Sequence, residues 1–166
     1  MTTILICGSP GTGKTTIANY LKKYGFEIIN LSHFVISNKL YLGYDTIRDS
    51  YIIDEEALIK KIKERISKEK NVVIEGIGAE ILPDELADLC VVLTCDIKEL
   101  EKRLKNKGYP PSKIYENLEA ERFSIILNTA LENFKQKVIV FDTSRYSEVE
   151  IVNKILTKLR EVEGNL

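Results

Sequence analysis

The chain contains few of the residues that build metal and disulfide sites. It has one histidine, three cysteines and no CxxC pair. A structural zinc ion takes four nitrogen or sulfur ligands, so this inventory disfavours a zinc site. Cys7, Cys90 and Cys95 do not form the even set of a disulfide framework, and two of them lie in apolar runs. We therefore expect buried, reduced thiols, and we interpret His33 as a surface or loop residue.

The chain also lacks an excess of either charge sign and has no long apolar run. Lys and Arg total 24 against 25 for Asp and Glu, so the chain lacks an overall positive field that would attract nucleic acid or a membrane. No stretch approaches the roughly 20 apolar residues that span a bilayer, and the amino terminus lacks the basic segment of a signal peptide. The 166 residues, 44% of them hydrophobic, predict a single domain over residues 1–166, in the cytoplasm, with neither a membrane nor DNA as a partner.

Apolar runs alternate with helical patterns along the whole chain, which is typical of an α/β fold with helices on both faces of a parallel sheet. The predicted strands are residues 3–7, 26–30, 71–75, 89–94 and 137–141. The predicted helices lie near residues 14–24, 32–38, 54–69, 96–107, 113–134 and 147–162. Asp54 and the pair Ser147 and Glu150 supply the charge and capping groups expected at helix starts.

Two stretches interrupt this alternation. Residues 39–53 are rich in Tyr and Asp without a clear period, and residues 108–112, GYPPS, break one helix and start another. Ligands of parallel α/β folds bind in loops at the carboxyl ends of the strands. We expect both interruptions at that edge, and both are therefore candidate parts of a binding site.

The stretch GSPGTGKTT at residues 8–16 is the strongest signal in the chain. It matches GxxxxGK[ST] between a predicted strand and a predicted helix, which is the context of a phosphate-binding loop. Gly11 and Gly13 allow backbone amides to approach phosphate oxygens. Lys14 is expected to neutralise the β- and γ-phosphates in catalysis, and Thr15 to ligate Mg²⁺. Thr16 is included among the residues that bind ATP, although packing at the base of the loop is an alternative.

A strand-end carboxylate is the second element expected at such a site. Glu75 ends the run VVIE and is followed by a glycine, which leaves room for a ligand. We expect Glu75 to act in catalysis by holding a metal-bound water. The alternative is a solvated glutamate at the end of a strand.

The chain has only six arginines, and their positions limit which side chains could bind phosphate groups. The set is Arg48, Arg65, Arg103, Arg122, Arg145 and Arg160. Arg103 and Lys107 are candidates for a lid over the triphosphate, with Arg103 catalytic, unless they are exposed helix charges. Arg122 could also face the site, and Arg145, after the last strand, is placed against the base or adenosine of ATP.

Arg65 and Arg160 lie in helical charge patterns and are interpreted as solvated. Arg48 is the sole arginine before residue 65, and it lies in the irregular stretch 39–53. Together with Asn30, Tyr44 and Asp45 it predicts a pocket for a second nucleotide, the acceptor. An acceptor phosphate is already ionised, so alignment and charge neutralisation suffice without a strong general base.

The chain resembles the adenylate kinase 6 family. The matching stretches are GSPGTGKTT, YLGYDTIRDSYIIDEE, VVIEG with LP after it, EKRLKNKGY and IYENLEAE, in the order and spacing of the family. The resemblance implies a five-stranded sheet in the order 2-3-1-4-5, a monophosphate-binding segment at about residues 30–53 and a short lid at about residues 106–116. It also implies ATP-dependent phosphorylation of AMP or related monophosphates, slow ATP hydrolysis, and association with a small-subunit ribosomal protein during maturation of that subunit.

Three residues depart from the family pattern. Ile77 stands where the family has a histidine tied to ATP hydrolysis, which puts hydrolysis and the assembly role in doubt. Ile36 stands at the position of an arginine of the monophosphate segment, so acceptor binding falls to Arg48. Lys107 replaces a lid arginine, which keeps the charge but loses the bidentate geometry.

Three hypotheses of function follow. The first is a nucleoside monophosphate kinase. The second is a nucleotide-gated assembly factor that binds a ribosomal protein and has little kinase activity. The third is a kinase of another small metabolite, because many phosphate-loop kinases share this architecture.

Overall fold

The computed structural model describes residues 1–164 of the chain. The strands are β1 (Thr2–Gly8), β2 (Glu27–Asn30), β3 (Tyr41–Asp45), β4 (Ser50–Ile53), β5 (Asn71–Glu75), β6 (Leu89–Thr94) and β7 (Val138–Asp142). The helices are α1 (Lys14–Lys22), α2 (Leu31–Ser37), α3 (Glu55–Ile66), α4 (Ile97–Asn106), α5 (Pro111–Arg122), α6 (Ile125–Phe134) and α7 (Glu148–Gly164). Short 3₁₀ turns at Ala79–Ile81 and Asp84–Leu86 connect β5 to β6, and another at Lys135–Lys137 precedes β7.

Within residues 1–164, a five-stranded parallel sheet has the order β2-β5-β1-β6-β7. Without the separate hairpin β3–β4, this is the order 2-3-1-4-5, so the expected α/β/α phosphate-loop architecture is confirmed. The five sheet strands lie where the apolar runs predicted them. The register pairs Asn30 with Glu75 at the carboxyl ends of β2 and β5, which brings both side chains to the edge where the phosphate loop leaves β1.

Successive side chains of the central strand point to opposite faces of the sheet, and each face has its own core. Leu5 and Cys7 of β1 pack in the cluster that includes residues of α2, α3 and α6. Ile4 and Ile6 pack in the cluster that includes residues of α1 and α7. Burial on both faces explains why these strands are continuous apolar runs.

A third cluster joins the helices on either side of the predicted lid. Leu100 and Leu104 of α4 pack with Ile114 and Leu118 of α5, and all four are buried. The turn at residues 107–110 connects the two helices. The pair α4 and α5 is therefore a packed unit.

The prediction of a single helix over residues 113–134 is wrong. Ser124 adopts a left-handed backbone conformation, with φ of 51°, and separates α5 from α6. The physical reason is that α5 and α6 pack in different hydrophobic clusters. Leu118 of α5 packs against α4, whereas Ala130 and Phe134 of α6 pack against the sheet, and one straight helix could not reach both.

The interpretation of residues 39–53 as irregular is also wrong, because they form the antiparallel hairpin β3–β4. Tyr51 stacks on Tyr41 at 4.5 Å between ring centroids and meets Tyr44 edge-on at 5.1 Å. Asp45 fixes the turn, since its carboxylate accepts hydrogen bonds from the amides of Ile47 and Arg48. Aromatic cross-strand pairs of this kind stabilise hairpins without a clean alternation of polar and apolar residues.

The predicted helix starts are confirmed. The Asp54 carboxylate accepts a hydrogen bond of 3.2 Å from the amide of Ala57 at the start of α3. The Ser147 hydroxyl accepts one of 3.2 Å from the amide of Glu150 at the start of α7. In the described part of the chain, every helix is too short or too polar to cross a bilayer.

Candidate active site

The phosphate loop occupies the turn between β1 and α1, as predicted. Gly11 and Gly13 have φ of 87° and 102°, values that favour glycine. A Cβ atom on Gly8 would lie 2.8 Å from the carbonyl oxygen of Leu93, and one on Gly11 would lie 3.2 Å from Leu100. The loop thus packs closely against β6 and α4, and the glycines are needed both for its backbone shape and for this close approach.

Lys14 lies inside the loop and is almost fully buried. Its Nζ donates hydrogen bonds to the carbonyl oxygens of Gly8 at 2.8 Å and Ser9 at 3.0 Å. Burial lowers the pKa of Lys14 from 10.5 to about 8; the nearby Glu75 carboxylate opposes this change and the positive charge of Lys107 adds to it. The ammonium is therefore poorly stabilised as it stands, and an anion such as a polyphosphate would stabilise it.

Glu75 is 2% exposed at the end of β5, so the alternative of a solvated glutamate is wrong. Its Oε1 accepts a hydrogen bond of 2.6 Å from the Asn30 side-chain amide and one of 3.3 Å from the Thr15 hydroxyl. Thr15, expected to ligate Mg²⁺, and Glu75, expected to hold a metal-bound water, thus lie side by side, and Asn30 contacts the same carboxylate oxygen. A hydroxyl and a carboxylate oxygen side by side are the hard donors that Mg²⁺ prefers, so these residues fit the metal.

Gly76 follows Glu75 and has φ of 139°. A Cβ atom there would lie 3.2 Å from the Cβ of Leu31, the first residue of α2. The strand-end carboxylate can therefore sit beside the start of α2 only because the next residue has no side chain.

Arg103 is 28% exposed and makes contacts on three sides, so it is not a solvated helix charge. Its Nη1 donates to the carbonyl oxygen of Gly11 at 3.2 Å and to the hydroxyl of Thr143 at 3.0 Å. Its Nη2 donates to the Thr143 carbonyl at 3.1 Å, and its Nε pairs with Glu99 at 3.3 Å. The guanidinium therefore connects α4 by hydrogen bonds to the phosphate loop and to the loop after β7.

A cavity of about 430 Å³ lies beside the phosphate loop on the β6–β7 side. It is lined by Gly11, Thr12, Gly13, Thr16, Ile17, Arg103, Asn106, Lys107, Thr143, Tyr146, Glu148 and Ile151. The structure thus brings the predicted ATP-binding residues Thr16 and Lys107 to one cavity with the glycines of the loop. Arg145 is not among these lining residues; its side chain is 81% exposed and lies 3.8 Å from Asp142.

A second cavity, of about 390 Å³, lies on the β2–β5 side of the loop. It is lined by Leu31, Ser32, Val35, Ile36, Ser50, Tyr51, Ile53, Glu55, Leu58, Ile59, Ile77, Gly78, Ile81 and Leu82. Among these described lining residues, Glu55 is the one with a charged side chain. Ile36 and Ile77, the two departures from the family pattern, both face this cavity, so it is mainly apolar.

The predicted acceptor residues Tyr44, Asp45 and Arg48 lie near the end of the hairpin, outside the set that lines this cavity. Asp45 fixes the hairpin turn, and the Tyr44 hydroxyl contacts the Asp49 carboxylate. Arg48 is exposed at the tip. The structure brings Asn30 to the site and leaves these three residues at its margin.

Sequence reasoning missed several residues. Thr143 and Tyr146 line the cavity beside the phosphate loop, and Glu121 of α5 accepts a hydrogen bond of 2.7 Å from the Ser9 hydroxyl in that loop. The rule that strand-end loops carry sites pointed to the loop after β7, but not to which of its side chains face inward. Glu121 ends the matching stretch IYENLEAE, but nothing in the local pattern of α5 indicates that its side chain reaches the phosphate loop. Arg122, named as a candidate, is exposed and pairs with Glu119 of its own helix.

The sheet order and the phosphate loop define a kinase of the phosphate-loop class. A family model described as "AAA domain" matches residues 4–124. A protein of Saccharolobus solfataricus named "Putative adenylate kinase" is 42% identical over 156 residues, which cover 93% of this chain and 82% of that protein. The "Adenylate kinase isoenzyme 6 homolog FAP7" of Saccharomyces cerevisiae is 34% identical over 139 residues, which cover 82% of this chain and 70% of that protein.

The chain therefore belongs to the adenylate kinase isoenzyme 6 family, and the expected resemblance is confirmed. Among solved structures, the shikimate kinase of Acinetobacter baumannii in complex with shikimate aligns with a TM-score of 0.62 at 16% identity, covering 97% of this chain and 94% of that one. At this identity the likeness shows the fold alone.

Proposed function

We propose that the protein transfers the γ-phosphoryl group of ATP to a nucleoside monophosphate, in the manner of an adenylate kinase that converts ATP and AMP to two ADP. The observation that carries this proposal is the placement of two cavities on opposite sides of the phosphate loop. Lys14, Thr15 and Glu75 lie at the carboxyl edge of the sheet between them. Donor and acceptor bound in the two cavities would point their phosphates toward each other.

On the donor side, the amides of the loop and the amino terminus of α1 surround the polyphosphate of ATP. Lys14 exchanges its two carbonyl partners for phosphate oxygens and offsets the charge that builds up during transfer. Lys107, in the same cavity, adds a second cation near the phosphates. Arg103 supports transfer by holding Gly11 of the phosphate loop in place, and Arg145, on the loop after β7, contacts the base of ATP.

Mg²⁺, when bound, neutralises phosphate charge and orients the β- and γ-oxygens. Thr15 would hold it directly, and Glu75 would hold it through water. Asn30 fixes the orientation of Glu75 by donating to Oε1, which leaves Oε2 available for that water.

On the acceptor side, the apolar cavity takes the base, and the monophosphate points toward Glu75 and Lys14. The lining residues Ile36 and Ile77 do not bind phosphate. Arg48, Tyr44 and Asp45 reach the acceptor through closure of the hairpin, with Arg48 supplying the cation. Because the acceptor oxygen is already ionised, this arrangement needs alignment more than a base.

The test is ADP formation from ATP, Mg²⁺ and each nucleoside monophosphate, compared with a reaction without acceptor. We expect acceptor-dependent ADP, its loss in Lys14→Ala, and a selective rise of the acceptor KM in Arg48→Ala. Arg160→Ala, which removes another exposed arginine on α7, is the matched control and should behave as wild type. ADP formation at the acceptor-free rate with every monophosphate would refute the proposal.

A second candidate function is nucleotide-gated assembly of the small ribosomal subunit in the cytoplasm, with slow ATP hydrolysis. The observation that favours a protein partner is the exposed apolar surface of the hairpin, where Ile47 is 95% exposed and Leu42 is 74% exposed. Capture of a small-subunit ribosomal protein by the chain with ATP or ADP, and its loss in Ile47→Ser, would support this role. Capture of none in either nucleotide state would contradict it.

A further inference from the structure

Both helices next to the lid contact the phosphate loop directly. From α4, Arg103 donates to the carbonyl oxygen of Gly11 at 3.2 Å. From α5, Glu121 accepts a hydrogen bond of 2.7 Å from the Ser9 hydroxyl. Arg103 has a part in the proposed function, whereas Glu121 has none.

Glu121 joins three separate segments with one carboxylate. Its Oε2 accepts from Ser9 in the phosphate loop, and its Oε1 accepts a hydrogen bond of 3.2 Å from the amide of Cys95, just after β6. Hydrogen bonds to an ionised carboxylate are among the stronger ones in proteins. This contact therefore fixes the position of α5 relative to the loop.

Ser9 connects Glu121 to other residues of the phosphate loop through its carbonyl oxygen. It is 1% exposed, and its carbonyl oxygen accepts from the Thr12 amide at 3.2 Å, from the Thr12 hydroxyl at 2.7 Å and from Lys14 Nζ at 3.0 Å. A change in the orientation of Ser9 would therefore move the carbonyl that holds the Lys14 ammonium.

Helices α4 and α5 form one packed unit, because they share the buried cluster around Leu104 and Leu118. We propose that Glu121 is a positioning residue that couples this unit to the phosphate loop, so that the docked α5 holds Ser9 and Lys14 in the arrangement that accepts a triphosphate. The inference rests on the proposed function only in taking ATP as the ligand of the loop.

The experiment measures the Kd for ATP with Mg²⁺ in the absence of an acceptor. Glu121→Ala removes both hydrogen bonds, and we expect ATP affinity to fall about tenfold, the size of one charge-assisted hydrogen bond. Ser9→Ala keeps the Cys95 contact and removes the contact with the loop, so it should give a similar loss. In the double variant the two losses should not multiply, because both changes break one link.

Glu121→Gln is the conservative variant. Its amide oxygen can accept from the Cys95 amide, and its NH₂ group can donate to the Ser9 hydroxyl oxygen, so affinity should return to within about twofold of wild type. Glu116→Ala changes an exposed glutamate of the same helix and is the matched control, expected to bind ATP as wild type does. A role confined to stability would shift the urea midpoint of Glu121→Ala and leave its ATP affinity unchanged at temperatures where it is folded.

ATP affinity of Glu121→Ala within about twofold of wild type, or losses that multiply in the double variant, would overturn the inference. If Glu121→Ala does not fold, the affinity of Ser9→Ala decides alone. Because no acceptor is used, failure of monophosphate phosphorylation in the wild type would refute the proposed function without touching this coupling.

Discussion

Replacing Arg103 tests whether it holds the phosphate loop in place or acts on the phosphates themselves. In the structure its guanidinium donates to the Gly11 carbonyl, the Thr143 hydroxyl and the Thr143 carbonyl. Arg103→Ala removes all three hydrogen bonds. Arg103→Lys keeps the positive charge beside Glu99 but lacks the planar fork that reaches both segments at once.

The expected loss of stability follows from these contacts. Each hydrogen bond contributes about 1 kcal/mol net, and the partly exposed pair with Glu99 adds at most about 0.5 kcal/mol. We therefore expect Arg103→Ala to lower the free energy of unfolding by about 3 kcal/mol and Arg103→Lys by about 1–2 kcal/mol. For a domain of this size the alanine variant should lose about 5–10 °C in Tm.

Urea unfolding followed by circular dichroism measures the free energy of unfolding. A shift of the midpoint with an unchanged m-value shows a change in stability. Lys102→Ala, at an exposed neighbouring position on α4, is the control and should unfold with the wild type. ATP affinity is measured on the same samples, and it should fall in parallel with stability because the Gly11 carbonyl is released.

The opposite pattern would refute this reasoning. If Arg103→Ala unfolds at the wild-type urea concentration and yet loses phosphoryl transfer, the guanidinium acts on the phosphates and its contacts with the loop are incidental. Loss of transfer in Arg103→Ala with full retention in Arg103→Lys would likewise favour a direct role of the charge, because lysine lacks the planar fork that contacts both segments.

Three further predictions concern the loop and one helix start. Because the pKa of Lys14 is about 8 in the folded protein and 10.5 when unperturbed, the unfolded chain binds more protons between those values. The free energy of unfolding should therefore rise with pH between about 8 and 10.5. Binding of ATP near pH 8.5 should be accompanied by proton uptake at Lys14, which calorimetry in buffers of different ionisation enthalpy measures. Gly8→Ala would place a Cβ atom 2.8 Å from the Leu93 carbonyl oxygen and should cost about 1–3 kcal/mol in urea unfolding. Asp54→Ala removes the cap of α3 and should cost about 1 kcal/mol by the same measurement, with ATP affinity unchanged.

Each of these predictions has a clear contrary result. Lys14→Met should abolish the proton uptake, and uptake that persists in this variant would assign it to another group. Wild-type stability in Gly8→Ala would mean that the loop can move away from β6. A loss of ATP affinity in Asp54→Ala would mean that α3 is coupled to the phosphate loop, which the described contacts do not predict.

The sheet and the phosphate loop were predictable because their signals are local. Buried parallel strands are continuous apolar runs, and Gly11, Gly13 and Lys14 occupy a fixed spacing that only a phosphate loop requires. The position of Glu75 beside the phosphate loop was predictable for a similar reason, since ligands of parallel sheets bind at the carboxyl ends of the strands. The hairpin β3–β4 was missed because the contacts of Tyr51 with Tyr41 and Tyr44 join residues across two strands and leave no simple period.

The sequence by itself determined the class of fold and the position of the phosphate loop with Lys14 and Thr15, because these depend on patterns of residues close together in the chain. Only the tertiary structure decided the contacts of Arg103 and Glu121 with the phosphate loop, and it placed Ile36 and Ile77 on one cavity wall. Those facts depend on which side chains meet when α2, α4 and α5 pack against the edge of the sheet. Contacts between residues more than a hundred positions apart, such as Ser9 with Glu121, have no signature in a single sequence.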